Sequence, residues 1–206
     1  MGLIKSMEEL QLDGGIPCLD LVNSAVETEV DQLVERMFTY TDLLTLSLRS
    51  GLLDQGRIKS LKTLARTKPS EAAALLPRVR EIRKDMYAVF LQIALKKTGQ
   101  TDKAAIDRLN QAISWARSAR KFGITGNRLV HDWDEEVAGI SLPLRAFLLS
   151  AEELLLNHPH NLIKKCRACA WLFLDSSRSH RRKWCNMQTC GSAAKSKRYY
   201  HRKTKS

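Results

Sequence analysis

Apolar residues recur at intervals of three and four over most of the first 160 residues, the spacing that gives a helix one packed face. Between Glu29 and Leu48 the positions Val30, Leu33, Val34, Met37, Tyr40, Leu43, Leu44 and Leu48 predict one long helix, or two broken near Thr39 to Asp42. Asp54 is placed to cap a following helix through Ile58, Leu61 and Leu64, which must end near Lys68 because Pro69 does not continue it. Leu75, Val79, Ile82, Met86, Phe90 and Ile93 form the next stripe, opened by Ser70-Glu71; Pro77 predicts a break or kink, with the main helix beginning there. Lys96, Lys97 and Gly99 carry the signals of its end. A helix after Thr101 or Asp102 turns Ile106, Leu109, Ile113 and Ala116 inward with Trp115 near an edge, and Pro143 starts a last one that runs to Leu156.

Shorter segments read differently. Leu3, Ile4, Met7 and Leu10 fit a short helix over residues 2–11, and Asp13-Gly14-Gly15-Ile16-Pro17 is a turn by composition. Cys18 to Asn23 is a compact apolar stretch whose length does not choose between strand and helix; Asn23 or Ser24 is placed to cap the next element. Phe122, Ile124, Leu129, Val130 and Trp133 around Gly123 and Gly126-Asn127 predict a short hairpin. The fold class is therefore mainly α: a helical N-terminal domain over residues 1–160 with one short β-hairpin, then a small four-cysteine α/β finger over residues 161–206, with the seam at Asn157 to His160.

Charge sharpens that division. The chain has 34 lysines and arginines against 22 acids, and residues 161–206 hold 13 of the former and only Asp175 of the latter, which leaves the body neutral. A neutral body with a cationic end faces two kinds of partner. No stretch reaches the roughly 20 apolar residues that cross a bilayer and no secretory leader pattern stands at the N-terminus, so a cytoplasmic protein with no membrane partner is expected. The P-loop, dinucleotide, zinc-protease and nucleophile-elbow signatures are absent, which points away from an enzyme. The cluster of His131, Asp132, Asp134, Glu135 and Glu136 reads as hairpin and helix-cap residues, since one histidine beside carboxylates is a poor metal site.

Cys166 and Cys169 form a CxxC; after fifteen intervening residues Cys185 and Cys190 form a CxxxxC. Four thiolates in this pattern converge tetrahedrally on Zn2+, and a closed sulfur shell leaves no water to activate, so the ion is structural and its binding is coupled to folding. A redox CxxC would need a βαβ context that this segment lacks. Trp171 to Leu174 has strand character, Asp175-Ser176-Ser177 turns into a basic loop, and Ser192 to Tyr200 is a basic helix capped by Ser192. Candidate nucleic-acid contacts are Arg178, Arg181, Arg182 and Lys183 in the loop with Lys195, Lys197, Arg198 and Arg202 on the helix, and Asp175 is expected to pair with Arg181 or Arg182. DNA is the expected partner; Tyr199 and Tyr200 offer stacking faces that keep RNA open, and the alternative reading is an RNA-binding or protein-interaction module, its finger on RNA or an acidic protein surface, with no transcriptional role. Asp20 and Asn23 position a helix or satisfy buried backbone, with a small ligand pocket as the other reading.

The run CRACAWLFLDSSRSHRRKWCNMQTCGSAAKSKRYYHR, Cys166 to Arg202, resembles the CGNR zinc finger in its cysteines and in Trp171, Leu172, Phe173, Asp175, Arg182, Trp184, Met187, Gly191 and Lys195. The body, with Gly14-Gly15-Ile16-Pro17-Cys18-Leu19-Asp20-Leu21-Val22-Asn23 near its start, resembles the ABATE-type domain that precedes this finger. The resemblance implies a stress-linked bacterial transcription regulator whose finger binds DNA, which would place it at the nucleoid, and with the two-part organisation it implies a body that responds to a small-molecule effector or partner protein. An apolar face of the helical body is available as a homodimer interface. Ser192 and Ala193 stand where the family's Asn and Arg are usual, which removes a guanidinium and its five donors from that position.

Overall fold

The computed structural model describes residues 6–25 and 34–203, with side chains through Lys197. Its elements are α1 (Pro17–Asn23), α2 (Tyr40–Arg49), α3 (Gln55–Thr67), α4 (Pro69–Ala94), α5 (Lys103–Arg117), β1 (Arg120–Thr125), β2 (Arg128–Trp133), α6 (Glu135–Ala138), α7 (Leu142–Asn157), β3 (Ile163–Lys165), β4 (Leu172–Leu174) and α8 (Ser192–Lys203). The strands make two antiparallel ribbons, β1 with β2 and β3 with β4. The architecture is mainly helical, and the four cysteines of its C-terminal part stand together.

Local chemistry sets the helix starts. Asp54 accepts the Arg57 amide at the head of α3, and Asp102 accepts the Ala104 amide at the head of α5. The head of α2 is a capping box in which Thr39 accepts from the Asp42 amide while Asp42 accepts from the amides of Phe38 and Thr39. That box limits the long helix expected from Glu29. Glu35 takes the amides of Arg36 and Met37 with its own carboxylate, so residues 34–39 are not helical although Met37 is buried. Val30 and Leu33, like Leu3 and Ile4, lie outside the described residues. Residues 6–10 form a turn rather than a helix, and Met7 and Leu10 still reach the core.

α4 corrects a second expectation, because its 26 residues run through Pro77 without a break. Pro77 and Ala73 both face solvent, so water serves the Ala73 carbonyl that loses its amide partner, while Leu75, Leu76 and Val79 hold the opposite face in the core. In α5, Ile106 is exposed, and the buried stripe is Ala105, Leu109, Ala112, Ile113 and Ala116; small residues bring α5 close against α4 and α7. Trp115 lies at the edge of that contact, with the guanidinium of Arg78 3.7 Å and that of Arg145 3.8 Å from its ring centroid. The β1–β2 hairpin forms as predicted and leaves Phe122, Ile124 and Leu129 exposed.

The short α1, which settles the strand-or-helix question in favour of helix, packs between α7 and α4; the Cys18 amide donates to Ser150 Oγ at 3.1 Å. α4 is the longest element and touches α1, α2, α3, α5, β3 and β4. One apolar cluster therefore runs from Leu19, Leu44, Phe90 and Phe147 in the body to Trp171, Leu172, Phe173 and Leu174 in the cysteine-bearing segment. The change in charge near residue 160 is not matched by any gap in packing.

Candidate metal centre

The centre is assembled by two turns. β3 and β4 pair with Ile163 opposite Leu174 and Lys165 opposite Leu172, and the Cys166 amide donates to the Trp171 carbonyl at 2.8 Å, so the loop that closes this ribbon carries Cys166 and Cys169. The Ala168 amide points at Cys166 Sγ, 3.5 Å away. In the second turn Asn186 Oδ1 accepts the amides of Gln188 and Thr189, and the Gly191 amide returns to the Asn186 carbonyl, winding Met187–Gly191 into one wide turn between Cys185 and Cys190. A Cβ on Gly191 would stand 3.2 Å from Met187 Sδ and 3.6 Å from Trp184, which favours glycine after the last cysteine. The two turns are joined by the Arg167 amide donating to the Lys183 carbonyl at 3.0 Å.

The four sulfurs lie within 4.8 Å of one another, and Cys169–Cys185, Cys185–Cys190 and Cys169–Cys190 are 3.8, 3.7 and 3.8 Å apart. These separations are far too long for disulfides, whose S–S bond is about 2.05 Å. A tetrahedral ion bonded to thiolates at about 2.3 Å has sulfur–sulfur edges of about 3.8 Å. The donor set therefore fits a metal, and the chemistry of the thiols agrees. Hydrogen bonds from Cys169 and Cys185 pull the Cys166 thiol down, whereas the hydrogen bond to Cys166, with its charge behind it, pushes Cys169 up to about 12 and Cys185 higher still; burial raises Cys190. Left to themselves these groups stabilise one thiolate, and four together call for a cation.

Around the centre, the residues named from sequence divide into two groups. Arg178, Arg181, Lys183, Lys195 and Lys197 are exposed and make no ion pair among the described residues. Arg182 is half-buried and used internally: Nε donates to the Trp184 carbonyl at 3.0 Å, Nη2 donates to the Cys185 carbonyl, and the guanidinium lies 4.8 Å from the Phe173 ring centroid. Asp175 is fully buried and pairs with Lys164 rather than with an arginine side chain; it accepts from Lys164 Nζ at 2.5 Å, Ser177 Oγ at 2.6 Å and the Arg182 amide at 3.0 Å. Burial opposes its charge, but the Lys164 ammonium and these donors hold its carboxyl well below the usual range. The register explains the choice, since Lys164 stands opposite Phe173 on β3, two residues from Asp175. Arg198 and Arg202 lie on α8, with side chains outside the described residues.

Asp20 and Asn23 are both buried and bonded to backbone. Gly14 donates its amide to Asp20 Oδ1 at 2.8 Å and accepts the Leu174 amide with its carbonyl at 2.8 Å. Asn23 Oδ1 accepts the Leu172 amide and Asn23 Nδ2 donates to the Leu172 carbonyl, each at 2.9 Å. Thus β4 has β3 on one edge and the Gly14–Asn23 segment on the other. A Cβ on Gly14 would be 2.7 Å from Asp20 Oδ1 and 2.8 Å from the Asp20 amide nitrogen, and Gly15 takes a φ of 78° at a point where a Cβ would stand 3.2 Å from the Leu174 carbonyl oxygen. Asn186 adds a further tie, donating to Asp13 at 3.1 Å. Sequence reasoning missed this docking, and nothing local in the chain announces that an amide at Asn23 serves a strand 149 residues away.

Two family models match the chain: the CGNR zinc finger over residues 163–203, and the ABATE domain, described as "Putative stress-induced transcription regulator", over residues 15–157. No curated protein matches it. The metal-ready cysteine cluster lies wholly inside the first match and the segment that docks β4 lies almost wholly inside the second, so the chain belongs to the ABATE family and carries a CGNR zinc finger at its C-terminal end.

Proposed function

We propose that this is a DNA-binding transcription regulator in which a structural Zn2+ closes the finger, the finger's exposed cations grip the phosphate backbone, and the helical body responds to an effector or partner. Zinc is favoured by the all-sulfur donor set and by edges that match a zinc–thiolate tetrahedron. The four ligands leave no open position, so the ion holds Cys166, Cys169, Cys185 and Cys190 in place and performs no chemistry of its own.

The observation that carries the reading is the set of Arg178, Arg181, Lys183, Lys195 and Lys197, all exposed in a segment with one buried acid. Unpaired cations on a rigid support release counterions from a nucleic-acid backbone, which supplies most sequence-independent affinity. Arg182 is not in the set, because its donors brace the second cysteine turn. Replacing Arg178, Arg181 and Lys183 by alanine is expected to lower duplex affinity and to flatten the dependence of log K on log salt by about 2.7, or roughly 0.9 per lost phosphate contact. An unchanged slope in a filter-binding salt series overturns the assignment; a slope that falls only with single-stranded RNA moves the partner from DNA to RNA.

A further inference from the structure

We propose that the groove where α2, α3 and α4 meet binds a small apolar carboxylate, an aliphatic or aromatic acid. Its floor and walls are Leu44, Ala72 and Leu76 with the ring of Phe38, and its volume is about 610 Å³. That lies within the range of small-molecule sites, roughly 300–1,000 Å³. Phe38 is 59% exposed beside the groove, so its ring is accessible to the hydrocarbon body of a ligand. The Thr39–Asp42 capping box fixes the backbone that carries it.

Charge selects the occupant. Lys62 and Arg66, one helical turn apart on α3, line the same groove, and no carboxylate among the described residues does. The acids closest in sequence to its walls are used elsewhere: Asp42 accepts the amides of Phe38 and Thr39 and the Thr39 hydroxyl, and Glu71 pairs with Lys68 at 3.0 Å. Lys62 and Arg66 have no ion-pair partner among the described residues. An apolar slot with two cations at its rim and no competing acid among the described residues takes a molecule with a hydrocarbon body and one anionic end. The groove is formed entirely by the body and does not depend on nucleic-acid binding; it gives a chemical class to the effector proposed above.

Calorimetric titration of the full chain with octanoate and with 2-naphthoate tests this, using octanamide and 2-naphthamide as uncharged counterparts. At least one acid is expected to bind saturably and its amide about tenfold or more weaker, because the amide forfeits two charge-assisted contacts. The acid that binds tells whether the slot takes a flexible chain or a ring system. The K62Q/R66Q variant should lose about tenfold or more in acid affinity, and A73W, which fills the groove from the exposed face of α4, should abolish binding while the circular dichroism melt stays intact. Absence of saturation by either acid up to about 10 mM, equal binding of acid and amide, or wild-type affinity in both variants overturns the proposal. The titration contains no nucleic acid, so its failure leaves the reading of the finger untouched.

Discussion

Asp20 has a carboxyl among apolar neighbours of α1, and its protonation therefore matters to the fold. Burial pushes it up to about 7 against an opposing hydrogen bond from the Gly14 amide, with Asp13 adding to the rise. In the unfolded chain an aspartate ionises near pH 4, so between about 4 and 7 the unfolded state has lost a proton that the folded state keeps. Stability is thus full below about pH 4 as far as this group is concerned, declines as pH rises to about 7, and is flat above, with a total of roughly 4 kcal/mol as the upper bound. Asp20→Asn keeps an oxygen for the Gly14 amide and removes the titration. Urea denaturation of both proteins at pH 5 and pH 8 should show the wild type losing stability relative to the variant on going to pH 8. Because the cysteine cluster is common to both, its own pH response cancels in that difference, and a wild-type-minus-variant value that is level or rises contradicts the environment assigned to Asp20. The same scale explains Arg182: along the chain it is one more cation in a basic loop, and only the fold turns its donors onto the carbonyls of Trp184 and Cys185.

Helix α4 illustrates how elements were legible and where they were not. Its apolar stripe and its end before Gly99 follow from local pattern, as do the cap at Asp54, a helix start after Thr101 or Asp102 and the hairpin of residues 120–133, whereas the pattern puts the start of the main helix at Pro77 and the structure puts it at Pro69. What pattern could not supply was the direction in which Pro77 faces. A proline inside a helix costs about 3 kcal/mol relative to alanine when its effects are not relieved. Here the ring is exposed, and the Ala73 carbonyl it leaves unbonded is on the wet side. Pro77→Ala is expected to restore that hydrogen bond and raise stability by about 1–3 kcal/mol, with little change in helix content by circular dichroism. A loss of stability would mean that the proline fits a bend the helix requires. The short α1 was ambiguous for the opposite reason: seven residues are too few for a period to declare itself, and the decision comes from α7 and α4 on either side.

At the scale of the whole molecule, the sequence divides by charge but the packing does not divide with it. The finger ribbon has its hydrophobic face, Leu172 to Leu174 with Trp171, inside the same apolar cluster as α1 and α4, and Asn23 gives Leu172 the donor and acceptor that a third strand would give. Tyr87 on α4 adds a hydroxyl hydrogen bond to the Ala170 carbonyl, next to the first cysteine pair. Metal binding should therefore stabilise the body as well as the finger, since an ion that binds only the folded state adds its binding free energy to every element unfolding with it. Removing the metal with a strong chelator is expected to lower the midpoint of a single melting transition observed both by far-ultraviolet circular dichroism, which reports the helices, and by tryptophan fluorescence, to which Trp171 and Trp184 contribute. Asn23→Ala strands the Leu172 amide and carbonyl away from water and should cost about 2–4 kcal/mol, and it should weaken metal retention although Asn23 is no ligand. Two separated transitions, with the helical one indifferent to chelator and to Asn23→Ala, would show that the shared core does not couple the finger to the body. Coincident shifts would mean that whatever changes the body's stability is transmitted to the segment that carries Arg178, Arg181 and Lys183.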